Sequence, residues 1–376
     1  MMKYLRAASK NKLKGRALVR LDFNTEDEWR MVAALPTVKL LEKSAQAVII
    51  VSHRGRPENI KVVDGVPQDF DQKLSLEKDA KALTRWLKKP VTFVPHFRFA
   101  EIKALAATAP RGSIFLIENL RFLPGEGKND PVFAKELAAL GDYYVNEAFA
   151  VCHRAAASVV AVTKYLPSYV GLGLEKEIEN LGGVMKRPRR PFVLVVGGAK
   201  AEDKLGILHF FEKRADSMLL GGASANTILG LRGVNVAGSK FDADPKDHAM
   251  LARLAALKKV ISPMDERRDG KGVVLDIGPR TEKFYADIIK KAGTILWSGP
   301  MGYFEKKAFA HGNLAIAKAI TANRRAFSVT GGGETVMFLK KHKLDKKFSF
   351  ISTGGGAMLE FLAGEKLPGI EALRKK

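Results

Sequence analysis

Apolar runs of three to five residues recur along the whole chain, each followed by a few polar or glycine residues and then by a longer segment of helical periodicity. In the first half they occupy residues 17–21, 47–51, 91–94, 113–117 and 143–145. In the second half they occupy 192–196, 217–220, 294–297, 326–330 and 348–352. The runs are too short for buried helices and too continuously apolar for strands wet on one side. They predict strands covered on both faces, the state of a parallel sheet. Alternation with helical segments is the pattern of βαβ units, so the chain reads as α/β, with Rossmann-like three-layer α/β/α domains.

Residues 173–187 carry an apolar stripe at Leu174, Ile178 and Leu181 on an otherwise polar helix, which ends at the breaker run Pro188-Arg189-Arg190-Pro191. At 376 residues the chain exceeds the size of one core, so this helix is read as interdomain. The expected division is 1–172, the helix 173–187, 188–356, and a segment 357–376. That last segment is too apolar for a free tail and is expected to dock back on the first domain.

Composition changes this picture little. The chain is 46% hydrophobic and 27% charged, as ordinary globular chains are. One cysteine, Cys152, excludes an intramolecular disulfide and a cysteine-based zinc cluster, and fits a reducing cytoplasm. No run reaches the roughly 18 apolar residues of a membrane span, and the first residues lack an export-type apolar core, so no membrane is expected. The formal charge of +23 invites a nucleic-acid reading, but 30 of the 63 Lys and Arg lie in 1–187 and 33 in 188–376. With no basic arm and no aromatic-interleaved tract, a generally basic surface with an anionic small substrate is the better reading, and no specific nucleic acid is expected.

The chemistry lies just after the strands, where ligands of open α/β sheets bind. In the first half those ends carry Asp22 and Asn24, His53, Arg54 and Arg56, His96 and Arg98, Asn119 and Arg121, and then His153 and Arg154. Guanidinium forks converging on one edge match carboxylate or phosphate oxygens. In the second half the ends are glycine-rich: Gly197-Gly198, Gly221-Gly222, Gly299-Pro300, Gly331-Gly332-Gly333 and Gly354-Gly355-Gly356. These suit a surface where backbone N–H groups approach nucleotide phosphates. At 192–204 a strand, two glycines, Lys200 and Lys204 lead into a predicted helix whose N-terminus favours an anion, although neither GxxxxGK[ST] nor GxGxxG is present. A nicotinamide dehydrogenase is therefore a poor alternative. The halves divide as cationic side chains for a phosphorylated acid and glycine-rich backbone for a nucleotide.

The motifs VRLDFN (19–24), RMVAALPT (30–37), SHRGRP (52–57), ENLRF (118–122) and NEAF with HRAAAS (146–158) resemble those of phosphoglycerate kinases. So do GGAKAEDK (197–204), DIGPRT (276–281), GPMGYFE (299–305), GGGET (331–335) and STGGGAMLEFLAGEKLPGIEAL (352–373), so the resemblance spans both halves. It implies a monomeric, cytoplasmic, hinge-bending enzyme of glycolysis and gluconeogenesis. Such an enzyme moves a phosphoryl group between 1,3-bisphosphoglycerate and ADP, giving 3-phosphoglycerate and ATP, with Mg²⁺. By resemblance Asp22, Asn24, Arg30, His53, Arg56, Arg121 and Arg154 would hold the phosphoglycerate. Lys200, Lys204, Glu305, Gly332, Gly333, Glu334 and Thr335 would hold the nucleotide, Gly197, Gly221 and Pro300 its adenosine, and Glu334 the metal. Arg30 and Lys200 are the implied catalytic pair. The family pattern usually has Asn at Ser298, Asp at Glu334, Gly at Ala223, His at Ala156 and a small aliphatic residue at Tyr303, and a longer loop between Asn24 and Arg30. These departures fall mainly on the nucleotide side and motivate one alternative, a degenerate homologue that binds without turnover.

Overall fold

The computed structural model describes residues 1–236, 238–241 and 244–374. It divides into two compact units, Met1–Ile178 with Lys366–Lys376, and Glu179–Glu365. Each is built on one six-stranded parallel sheet.

The first unit contains β1 (Ala17–Arg20), β2 (Ala47–Val51), a ribbon of β3 (Lys61–Val63) and β4 (Val66–Gln68), then β5 (Val91–Val94), β6 (Ser113–Ile117), β7 (Tyr143–Asn146) and β8 (Ser168–Val170). Its sheet runs β5-β6-β2-β1-β7-β8. Alternate residues of the central strands (Ala17, Val19, Val48, Ile50, Ile114, Leu116) pack on Leu35, Val38 and Leu41 of helix Glu28–Ser44. The intervening Leu18, Ile49 and Phe115 are equally buried, so both faces are covered, as the unbroken apolar runs require.

The second unit contains β9 (Phe192–Val196), β10 (Ser217–Leu220), β11 (Val260–Ile261), a ribbon of β12 (Glu266–Arg268) and β13 (Val274–Ile277), then β14 (Thr294–Ser298), β15 (Phe327–Gly331) and β16 (Phe350–Ser352). The order β11-β10-β9-β14-β15-β16 is the doubly wound 3-2-1-4-5-6 arrangement, counting only strands of the main sheet. The sheet therefore reverses direction between β9 and β14, and a crevice is expected outside the carboxyl ends of those two strands. Trp297, Tyr285, Ile316 and Phe338 form part of the core on one face, and Leu194, Leu220, Leu296 and Val329 are buried on the other.

Helix Leu172–Lys186 begins in the first unit and ends in the second. Its first turn is capped by a buried carboxylate. Glu147 accepts from the Gly173 amide at 2.7 Å and from the Leu174 amide and the Thr37 hydroxyl, while Thr37 Oγ1 accepts from the Leu172 amide. A Cβ at Gly171 or Gly173 would collide with that carboxylate, which is why both are glycine. Burial pushes Glu147 up to about 8, the hydrogen bonds opposing and nearby Glu177 adding to the rise. A raised carboxyl keeps its proton in the folded state after the unfolded chain has released it, so stability falls as pH rises through that window. Buried Asp276, pushed up to about 7, acts in the same direction. In Glu147→Gln the loss of Tm between about pH 5 and about pH 8 is expected to shrink relative to the parent. Thermal unfolding at the two pH values checks this, and an undiminished loss would sink the assignment.

The segment expected at 357–376 divides. Helix Gly356–Leu362 stays with the second unit, where Ala363 packs at Gly206, and only Pro368–Arg374 belongs to the first. There the Gly369 amide donates to the Cys152 carbonyl at 2.8 Å. Lys375 and Lys376 lie outside the described residues. Cys152 is a buried packing residue, its thiol pushed up to about 12 by burial.

Candidate active site

In the first unit the site is organised by an arginine that strand patterning hid. Arg20 closes β1 and is 1% exposed. Its Nε donates to Ser158 Oγ at 2.9 Å, Nη1 to the Leu21 carbonyl and Ser52, and Nη2 to His53 Nδ1 at 2.7 Å. A guanidinium only donates, so His53 Nδ1 accepts and the imidazole proton sits on Nε2. Burial, then Arg20, Arg121, Arg154 and Arg54, hold the His53 pKa far below its ordinary value, so the ring is neutral. Its Nε2 is buried with no hydrogen-bond partner, a donor left for a ligand.

The surrounding arginines differ in what they are free to do. Arg54 is neutralised by Glu26 and Asp79, each at 2.8 Å. Among the described residues no carboxylate pairs with Arg56, Arg121 or Arg154. Arg121 is pushed down to about 10, by burial first and then by Arg154, Arg20 and Arg56, with Glu126 opposing. Glu126 itself is occupied by the hydroxyl and amide of Ser158 at 2.6 and 2.9 Å. Three cations with no paired carboxylate suit an anion.

The loop carrying Arg54 to Arg56 is braced from both sides. Asn24 Oδ1 accepts from the Gly55 amide at 2.7 Å, and buried Asn119 bonds the Arg54 amide and carbonyl and the Arg121 amide. Gly55 has φ +64°, where a Cβ would also strike Leu74. Asp22 accepts from the Asn24 amide. Arg30 is different: among the described residues its side chain pairs with Asp27, at 3.5 Å, and lies over the Trp29 ring, with no hydrogen bond to the arginine cluster.

In the second unit three glycine turns meet at the β9–β14 switch point. The Gly197 amide donates to the Ser298 carbonyl and the Gly198 amide to Pro300, while Ala223 donates to Gly198. A Cβ on Gly197 would lie 2.1 Å from the Pro300 oxygen, one on Gly299 2.3 Å from the Gly197 oxygen, and one on Gly222 2.4 Å from the Gly198 oxygen. These glycines let loop approach loop, and Gly198, Gly222 and Gly299 also line the cavities there. Gly197 and Gly221 back the site and do not line it. Gly332, with φ +93°, and Gly355, with φ +52°, are the opposite case: a Cβ there would stand in open space.

Two cavities share Gly198, Ala199, Pro300 and Glu334. One, of about 430 Å³, is lined by Lys200, Lys204, Ser298, Gly332, Gly333 and Thr335, among others, and lies at the N-terminus of helix Gly333–Lys341. The Ser298 and Thr335 hydroxyls are buried there without partners. Burial lowers the pKa of Lys204, while Asp203 and Glu334 act to raise it. Helix Glu202–Phe211 starts two residues after Lys200, so Lys200 stands on the turn that leads into the helix and Lys204 in its first turn. Helix terminus, lysines and orphan hydroxyls together suit phosphate. The other cavity, of about 380 Å³, is walled by Ala223, Val274, Ile277, Pro300 and Met301, with Glu305, Tyr303, Asn226, Lys240 and Glu266 around it. It has the character of a slot for a flat ring. Among the described residues no cluster of three or more metal-ligating side chains occurs.

Arg20, Ser158 and Glu126 were not singled out as site residues from the sequence, nor was the β12–β13 wall. Arg20 was legible as the one charge inside an apolar run, and the wall through the Asp269-Gly270 turn.

A family model described as phosphoglycerate kinase matches residues 9–365. A phosphoglycerate kinase of Desulfosudis oleivorans is 40% identical over 390 residues, covering 96% of each chain, and one of Moorella thermoacetica is 41% identical over 389 residues with the same coverage. Among solved structures, phosphoglycerate kinase from Coxiella burnetii superposes with a TM-score of 0.84 at 32% identity, covering 100% of this chain and 99% of that one. The Pyrococcus horikoshii enzyme gives 0.82 at 31%, covering 99% and 98%. With a match this long in sequence and in fold, the chain belongs to the phosphoglycerate kinase family.

Proposed function

We propose that this protein catalyses reversible phosphoryl transfer between 1,3-bisphosphoglycerate and ADP, yielding 3-phosphoglycerate and ATP. The observation that carries the reading is the presence, in one chain of this family, of an uncompensated arginine cluster and a lysine-bearing crevice at a helix terminus. In the forward direction the bond between the acyl oxygen and phosphorus breaks as a β-phosphate oxygen of ADP bonds to that phosphorus, and the acid leaves as carboxylate. Charge spreads over the equatorial oxygens of the moving group, so positioning and charge neutralisation do most of the catalytic work.

On this reading Arg56, Arg121 and Arg154 take the phosphate and carboxylate of the substrate. His53 donates from Nε2, and Asp22 and Asn24 orient the rest. Lys204, Thr335 and the Gly332–Gly333 amides take the nucleotide phosphates, Pro300 and Glu305 its nucleoside, with Gly197 and Gly221 holding the slot's shape from behind. Arg30 and Lys200 are assigned to the transferring phosphoryl. Mg²⁺ binds proteins through one or two carboxylates plus substrate phosphates, and Glu334 at the crevice fits that donor set. When bound it would neutralise phosphate charge. The same family reading supports a monomeric, cytoplasmic, hinge-bending enzyme. Nothing at Ser298 or Glu334 favours a binding protein without turnover.

A coupled assay with 3-phosphoglycerate, ATP and Mg²⁺ is expected to show robust turnover that chelation of the metal abolishes. Absence of turnover in both directions would overturn the proposal.

A further inference from the structure

The nucleoside slot carries more charge than a slot for a ring needs. Glu266, at the start of β12, and Lys240 both line it, and Asn226 Nδ2 donates to the Lys240 carbonyl at 2.9 Å, fixing that segment against the wall. Among the described residues Lys240 makes no ion pair, and Glu266 makes one, with Arg268 at 3.7 Å. Arg268 is itself tied to the carbonyls of Asn235 and Gly272. Of the other carboxylates that line the slot, Asp276 is not available, because its oxygens accept from the Ile277 and Gly312 amides, and on the kinase reading Glu305 and Glu334 serve the nucleoside and the metal. Tyr303, 46% exposed on the rim, offers a ring face on which a purine can stack.

We propose that this slot reads guanine, so that GDP and GTP are taken at least as well as ADP and ATP; the inference rests on the kinase reading of the same site. The edge of guanine presents the O6 acceptor at one end, then the N1–H and N2–H donors side by side, whereas adenine presents one amino donor beside the N1 lone pair. A carboxylate has acceptors only and an ammonium donors only. Glu266 can take both guanine N–H groups at once while Lys240 donates to O6, with charge-assisted bonds in each case. Adenine in the same pose sets its N1 lone pair and C2–H against the carboxylate, which gains no N–H donor, and its amino group against the ammonium.

The test is calorimetric binding of Mg-GDP and Mg-ADP to the full chain and to Glu266→Leu. GDP is expected to bind at least as tightly as ADP in the parent. The GDP-to-ADP preference is expected to fall about tenfold or more in the variant, as when a site built for a hydrogen-bonding group loses its partner. Because the preference is a ratio measured on one sample, partial misfolding of the variant does not affect it. Should Glu266→Leu not be obtainable, Glu266→Gln is expected to move the ratio the same way by less. Tighter ADP binding by the parent, or a ratio that the substitution leaves unchanged, overturns the assignment. Turnover separates this outcome from the reading beneath it. Transfer that proceeds with ADP bound tenfold more tightly removes the base assignment alone. Tighter GDP binding without any transfer removes the kinase and leaves the base assignment standing.

Discussion

Lys200→Ala is expected to lower kcat by about 100-fold or more while leaving KM for both substrates nearly unchanged, the pattern of a lost contact made only in the transition state. The structure separates the two lysines of this segment. Lys204 is partly buried, with the charges of Asp203 and Glu334 nearby, as suits a residue that holds a resting phosphate. Lys200 is exposed at the crevice and makes no hydrogen bond or ion pair with a described residue. An ammonium on a flexible stem, not engaged in the ground state, can follow charge as it develops on the moving phosphoryl. Lys204→Ala is expected instead to raise KM for the nucleotide. Steady-state kinetics on the two variants decide the matter, and an unchanged kcat in Lys200→Ala would remove that residue from the mechanism.

Arg121→Met should move activity and stability in opposite directions. KM for 3-phosphoglycerate is expected to rise roughly 10- to 100-fold, the size of a lost hydrogen bond between charged partners. The Tm of the unliganded protein is expected to rise as well. Arg121 is a base whose pKa is lower in the folded protein, because of burial and three neighbouring guanidiniums. At every pH below about 10 the folded state therefore holds that proton less willingly than the unfolded chain, and the charge subtracts stability across the ordinary range. Methionine keeps an apolar stem and removes the charge. The upward shift of Tm produced by saturating 3-phosphoglycerate should shrink in the variant, since that shift follows binding. A lowered Tm with an unchanged KM would make Arg121 a structural residue only.

Much of this architecture was legible before any coordinates, for a plain reason. A strand buried on both faces must be apolar throughout, so all ten runs read from the sequence are strands of the two sheets. The strands that escaped notice, β8, β11 and the two ribbons, are two to four residues long and carry no periodicity to read. The arginines were visible because each follows a strand, but which of them are free was not. Arg54 and Arg56 are two residues apart, and only pairing with Glu26 and Asp79, contacts made across the fold, tells them apart. Glycine was legible in place but not in purpose. Sequence marks where a side chain is absent but not what fills the space: the Pro300 oxygen at Gly197, and open space at Gly332.

The meeting of the three glycine turns also limits how this enzyme can change. At Gly197, Gly222 and Gly299 even a methyl group would strike backbone, so the floor under the nucleotide offers selection almost no heritable variation. Asn226, Lys240, Glu266 and Tyr303 stand on the walls and rim, where side chains can be exchanged without moving main chain. A lineage drifting between purines, or a library built to redirect this enzyme, would therefore have to work at those four positions, over a floor that stays the same whichever base is accepted.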